Sequence, residues 1–170
     1  MDSGATSVDR WVSRQGGCID GDPACRARRA LDALRLDDPT VEGLRGRPLT
    51  VAVLDCDRPT AYAWPCGRLY VSRGLVEALS DQELAAAIAH EAGHLIAEPA
   101  GEDRAALSGS HDNDACEMAA DVAGRRLLVA SGIPPSAMVS MLRKVAGDSR
   151  TAEHLRPLLT RRADAIAESK

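Results

Sequence analysis

The chain has 170 residues, of which 45% are hydrophobic and 27% charged, and its net charge is −4 at pH 7. This length and composition fit one globular domain, and no apolar run reaches the roughly 18 residues that a membrane span needs. With two Trp, two Tyr, no Phe and no basic cluster, the chain lacks the features of a nucleic-acid-binding surface.

The first half of the chain predicts one helix and two strands. Residues 1–25 are rich in glycine and aspartate and predict an irregular arm, ahead of a core over residues 26–170 that carries the function. Apolar residues at helical spacing predict an amphipathic helix over residues 25–36. The β-branched segments 49–55 and 67–72 predict strands, with a turn-forming stretch between them.

The second half predicts only helices. Ser80 and Glu83 form an S-x-x-E capping box ahead of the apolar run LAAAIAHEAGHLIAE, and so mark the start of a long helix. Three further helices are predicted over residues 115–132, 135–147 and 156–169. Strands followed by helices predict an α+β fold.

The chain has five cysteines, and whether they form disulfides indicates the cellular compartment of the protein. Cys18 and Cys25 bracket a Gly/Asp/Pro loop, and Cys56 and Cys66 flank another turn-rich segment. These pairs predict two disulfides and leave Cys116 as a buried, unbridged thiol, whereas five reduced thiols are the alternative. Disulfides would indicate a periplasmic or secreted protein rather than a cytoplasmic one.

The long helix carries the residues with the most chemistry. His90 and His94 lie four residues apart, so both imidazoles share one face and can converge on a zinc ion. Glu91 can reach a water molecule at the metal without filling a ligand position, and Ala92 and Gly93 leave room for substrate and neighbouring backbone. This H-E-x-x-H pattern is typical of two ligands and a general base, although two histidines can share the spacing by chance.

A catalytic zinc needs a third protein ligand, and the next predicted helix offers one. Glu117 and Asp121 again lie four residues apart. Glu117 can bind the metal, while Asp121 can accept the remaining N–H of a ligating histidine and fix its orientation. His111 and His154 are the competing third ligands.

The segments TAYAWPCGRLYVSRGLVEAL, SDQELAAAIAHEAGH and EMAADVAGRRLL resemble metallopeptidase family forty-eight. This is the gluzincin family of HtpX-type heat-shock proteases and CAAX prenyl endopeptidases, and the lack of transmembrane segments resembles its soluble, periplasmic-type branch. The resemblance runs from about Leu49 to Ala163 and implies a single-domain minimal gluzincin, with a short sheet over the H-E-x-x-H helix. It puts Glu117 at the third-ligand position and Asp121 at the supporting aspartate. It also implies that residues 68–72 are an exposed upper-rim edge strand on which a peptide substrate lies.

The resemblance is incomplete near the C-terminus. The family's H-P…R element corresponds to Arg156-Pro157 followed by Arg162, so the histidine is missing in register. The oxyanion or structural help that this histidine gives would then come from Arg156, His154, Tyr70 or Arg162, or be absent.

The sequence therefore predicts a zinc endopeptidase with one Zn²⁺ per chain, bound by His90, His94 and Glu117, and with Glu91 as general base. Its oligomeric state stays open. Two alternatives remain: a zinc-bound but proteolytically silent module that binds peptides, and a latent enzyme. In the latent enzyme, residues 1–25 would cross the cleft and supply a cysteine thiolate to the metal.

Overall fold

The computed structural model describes residues 3–38, 44, 48–97 and 114–169. Within these ranges the chain forms seven α-helices and one sheet of four strands, which confirms the predicted α+β class. In chain order these are α1 (Ser3–Arg14), β1 (Cys18–Ile19), α2 (Asp22–Asp32), β2 (Thr50–Leu54), β3 (Ala61–Ala63), β4 (Arg68–Ser72), α3 (Arg73–Ala78), α4 (Asp81–Ala97), α5 (Asp114–Ala130), α6 (Ser136–Gly147) and α7 (Arg156–Glu168). No helix in these ranges combines the length and apolar character needed to cross a membrane.

The strand order β1-β2-β4-β3 differs from the predicted arrangement. β4 pairs in parallel with β2, with Thr50 opposite Arg68, and in antiparallel fashion with β3, with Ala61 opposite Val71. Residues 68–72 are therefore interior, and their prediction as an exposed edge strand is wrong. Among the described strands the edges are β1 and β3, and β3 is a three-residue strand within the segment that was predicted as a turn.

The two faces of the sheet pack against different parts of the chain. Leu69 and Val71 of β4 face the main apolar core, which includes much of α4. Tyr70, between them, belongs to a separate cluster on the other face, because successive side chains of a strand point to opposite sides.

The described part of residues 1–25, predicted to be an irregular arm, instead forms α1, β1 and the start of α2. Val8 and Trp11 of α1, spaced by three residues, pack on the face of the sheet that carries Tyr70. The ring centroid of Trp11 lies 4.9 Å from that of Tyr62 and 5.4 Å from that of Tyr70. The prediction of an irregular arm was wrong because the glycine- and aspartate-rich composition masked this short apolar stripe.

All five cysteines are unbridged, so the predicted disulfides Cys18–Cys25 and Cys56–Cys66 are wrong. Because β2 and β4 are parallel, Cys56 follows the end of β2 while Cys66 precedes the start of β4, at the opposite end of the sheet. Five residues of strand separate these ends by roughly 17 Å, far beyond the Cα separation of about 4.4–6.8 Å that a disulfide allows. The expected periplasmic or secreted location loses the support of these bridges.

The capping box predicted for α4 is confirmed. The backbone N–H of Ser80 donates to Glu83 Oε2 at 2.8 Å, and the backbone nitrogen of Glu83 lies 3.4 Å from Ser80 Oγ. Glu83 also accepts hydrogen bonds from Lys144, at 2.7 Å, and from Ser140, both on α6. Although burial raises the pKa of Glu83, these bonds outweigh it and lower the pKa to about 2. The start of α4 is thereby fixed to α6.

Candidate metal centre

Helices α4 and α5 approach each other where both carry small residues. A methyl group at Gly93 would lie 2.3 Å from the carbonyl oxygen of Ala120, and one at Gly124 would lie 2.8 Å from the carbonyl oxygen of Ala89. Gly93 thus makes room for the backbone of α5. Gly124 was not predicted from the sequence to make this contact, although a glycine on each of two successive helices could have signalled it.

We expect Gly93→Ala to destabilise the fold and to weaken metal binding. An alanine in a helix interior normally gains up to about 1 kcal/mol over glycine, but forcing a methyl group into this contact costs about 1–3 kcal/mol or more. The shift of α5 would also move Glu117. Urea unfolding and zinc content of the purified variant measure the two effects.

Gly147→Ala is the matched control, because Gly147 ends α6 and, apart from its chain neighbours and its own helix backbone, no atom lies within 4 Å of the site of an added methyl group. This variant should keep its zinc and at least the stability of the wild type. Equal stability of the Gly93 and Gly147 variants would contradict the role given to the helix contact.

The crossing of α4 and α5 brings three predicted residues together. One donor atom each of His90, His94 and Glu117 lies within 4.8 Å of the other two. His90 Nε2 is 3.3 Å from Glu117 Oε2, and His94 Nε2 is 3.4 Å from Glu117 Oε1. Ligands about 2.0–2.1 Å from a tetrahedral zinc lie about 3.3–3.4 Å from one another, so the two distances from the histidines to Glu117 match this spacing, and two imidazoles with one carboxylate match the chemistry of a zinc site.

Asp121 and Arg162 surround this cluster. Asp121 Oδ1 lies 2.9 Å from His90 Nδ1, which leaves His90 Nε2 on the side of Glu117. Arg162 of α7 lies 2.7 Å from Asp121 Oδ1 through Nη2 and 2.6 Å from Glu117 Oε2 through Nη1. Arg162 is one of the oxyanion candidates predicted from the sequence, but its guanidinium is engaged with these two carboxylates.

The cluster is buried and formally negative when both histidines are neutral. Glu91, Glu117 and Asp121 are 8%, 7% and 4% exposed. Three carboxylates against the one guanidinium of Arg162 leave a net charge of −2. A buried net charge is costly unless it is paired, and a divalent cation would balance this one.

The charges around His90 also change its pKa. Burial and the nearby Arg162 guanidinium lower this pKa, but hydrogen bonds to Asp121 and Glu117 outweigh them and raise it to about 9. Burial raises the pKa of Asp121, whereas His90 and Arg162 lower it more, so that it falls below its usual range. Both shifts indicate a site that favours added positive charge at His90.

The other sequence candidates lie elsewhere. His154 is exposed on a short 3₁₀ helix (Glu153–Leu155), and Tyr70 is on the sheet face opposite α4. Arg156 points its guanidinium at the backbone carbonyls of the loop before that 3₁₀ helix. His111 lies outside the described residues.

A pocket opens beside the cluster. His90, Glu91 and Glu117 line it on one side, and residues 59–61, at the start of the edge strand β3, border it. No described residue of α1, β1 or α2 is in its lining, and β1 lies at the opposite edge of the sheet from β3. The described N-terminal residues therefore do not support the hypothesis of a latent enzyme with its arm across the cleft.

Comparison with known proteins concerns the site residues that α4 contributes. A family model described as Peptidase family M48 matches residues 33–109. The matched segment contains His90, Glu91 and His94 and ends before Glu117. A search of curated proteins finds no significant match.

Proposed function

We propose that this chain is a zinc-dependent endopeptidase of peptidase family M48, whose model matches residues 33–109. The observation that carries the proposal is the group formed by the buried His90 and Glu117 and the partly buried His94, in which one donor atom of each residue lies within 4.8 Å of the other two. We assign these three side chains as the zinc ligands. Asp121 orients His90, and Arg162 is a positioning residue that holds Glu117 and Asp121.

Glu91 is the residue to which we assign proton transfer. The chemistry that bound zinc supplies is Lewis-acid polarisation of the scissile carbonyl and acidification of a water molecule. Glu91 lines the same pocket as His90 and Glu117. Its carboxylate accepts a proton from the water that attacks the carbonyl carbon, and then delivers that proton to the nitrogen of the leaving amine.

We place the peptide substrate along β3. The N–H of Ser72 donates to the carbonyl of Thr60, and the N–H of Trp64 donates to the carbonyl of Arg68. In an antiparallel pair, every second residue of a strand forms backbone hydrogen bonds to the partner strand. The N–H and C=O groups of Ala61, between the bonded positions, therefore point away from β4. An extended peptide could pair with this outer edge next to Glu91, in the manner of β-augmentation.

The proposal is tested by measuring zinc content and casein hydrolysis on the same preparation of the full chain. We expect about one zinc per chain, hydrolysis that a chelator abolishes, and recovery of hydrolysis when stoichiometric zinc is returned. Zinc binding without hydrolysis would instead favour the proteolytically silent, peptide-binding module. Hydrolysis that survives complete removal of the metal would contradict the proposed mechanism.

A further inference from the structure

Helix α5 has an exposed face that is apolar. Within the described residues, the large apolar side chains that are exposed are Met118, Val122 and Val129, at 58%, 49% and 61% exposure. All three lie on α5, at spacings of four and seven residues, so they share one face of the helix. Single apolar residues are common on protein surfaces, whereas an aligned set on one element indicates an interaction surface.

The ends of this face carry opposite charges. Asp114 lies four residues before Met118, and Arg126 lies four residues after Val122. These four residues form a single row along the helix, which we call the α5 row. Asp114 and Arg126 are both exposed, and neither forms a salt bridge within the part of the chain that the structure describes. The α5 row therefore runs from a negative end through an apolar middle to a positive end.

The α5 row is complementary to a second copy of itself in the antiparallel direction. When Met118 lies opposite Val122 of a second copy, the equal spacing brings Asp114 opposite Arg126 of that copy. A two-fold axis repeats both contacts, because in such an interface each residue of a contacting pair appears once on either side. A parallel pairing in register would instead bring like charges together.

The surface beside the α5 row has room for a second helix. Rows of residues four apart are the ridges that interlock in the commonest class of helix crossing, at about 50°. Ala119, exposed next to the row, leaves a shallow groove for the ridge of the second copy. A groove of about 230 Å³ lies between α5 and α7, lined by Met118, Val122 and Leu158 among others. The flexible side chain of methionine suits such an irregular space.

We propose that α5 forms a homodimer interface, in which the α5 row packs antiparallel against the α5 row of a second copy of this chain. The self-complementary order of charges favours a second copy over a different protein as the occupant. Glu117 and Asp121 lie on the buried face of the same helix, so the contact leaves them in place. The inference does not depend on the proposed peptidase function.

The first test is analytical ultracentrifugation of the zinc-loaded full chain over a wide range of concentrations. We expect a reversible equilibrium whose mass rises from 18.0 kDa towards twice that value. A monomer at every concentration would overturn the proposal. Assembly beyond two copies would also contradict it, because a two-fold interface closes at the dimer.

Val122→Asp tests the apolar middle of the α5 row. Two copies of this variant would bury a carboxylate at each apolar contact, and the dimer dissociation constant should rise by at least about tenfold. Val129→Asp is the matched control, because Val129 is the same residue type, equally exposed on α5, but lies three residues beyond Arg126 and outside the row. Equal effects of the two variants, including no effect in either, would overturn the proposed contact.

Charge reversal tests the antiparallel pairing. Asp114→Arg and Arg126→Asp each bring like charges together in a homodimer, so each variant alone should dimerise roughly tenfold more weakly than the wild type. In a mixture of the two variants, each such contact joins an arginine to an aspartate, so a heterodimer should form with about the wild-type affinity. A fluorescent label on one variant reports the heterodimer in the ultracentrifuge. Circular dichroism checks the folding of each variant.

The mixture separates the possible occupants of α5. If the wild type dimerised but the mixed variants associated no better than either variant alone, the antiparallel pairing of the α5 row would be wrong. If the wild type stayed monomeric, the apolar face of α5 would belong to a different partner and the homodimer would be rejected. Neither result depends on zinc-dependent hydrolysis, so failure of the dimer and failure of the peptidase remain distinguishable.

Discussion

The Glu91→Gln variant is expected to keep about one zinc per chain while its casein hydrolysis falls by roughly 10²–10⁴-fold, the usual cost of losing a general base. The amide has nearly the same size as the carboxylate, and the substitution leaves His90, His94 and Glu117 in place. The side chain is buried and lines the pocket, so its loss as a base should affect turnover far more than folding.

Glu153→Gln provides the matched control, because Glu153 is exposed and is not among the residues that line the pocket. A surface change of this kind normally alters stability by less than about 0.5 kcal/mol, and here it should leave turnover at the wild-type rate. If Glu91→Gln hydrolysed casein as fast as the control, the proposed proton transfer would be wrong, whatever the zinc content.

The Glu117→Ala variant is expected to lose most of its zinc together with its activity. It leaves two histidines as protein ligands, and it also removes the carboxylate that lies 2.6 Å from Arg162. Titration with a zinc-competing chromophoric chelator, together with metal content, measures the loss of affinity.

Asp121→Ala is the comparison that separates a ligand from a residue that orients one. Asp121 contacts His90 Nδ1 at 2.9 Å and is not among the three assigned ligands, so its loss should weaken zinc binding by about 10–100-fold. The Glu117→Ala effect should be clearly larger. Wild-type zinc affinity in Glu117→Ala would instead direct attention to His111 or His154 as the third ligand.

Local spacing allowed much of the candidate site to be predicted from the sequence. Ser80 and Glu83 interact within one turn, so the start of α4 could be read directly from the chain. The same reasoning holds for His90 and His94, because the helical period alone puts residues i and i+4 on one face. These predictions did not depend on any other part of the fold.

The contact between the site residues of α4 and those of α5 was predictable only in part. The spacing of Glu117 and Asp121 suggested a second shared face, and the structure puts that face against His90. The approach that Gly93 allows, and the position of Arg162 between the two carboxylates, depend on how α4, α5 and α7 pack. Sequence spacing within one helix contains no information about that packing.

The strand order and the separation of Cys56 from Cys66 were decided by the tertiary structure alone. Alternation and β-branching identify β2 and β4, but they do not say that the two strands run parallel or that β3 covers the outer side of β4. That pairing removed residues 68–72 from the edge and separated Cys56 from Cys66. The sequence by itself determined the spacing of His90 with His94 and of Glu117 with Asp121, because each pair depends on positions about one helical turn apart. The tertiary structure decided the exposed edge and the residues behind the site, because these depend on contacts between segments far apart in the chain.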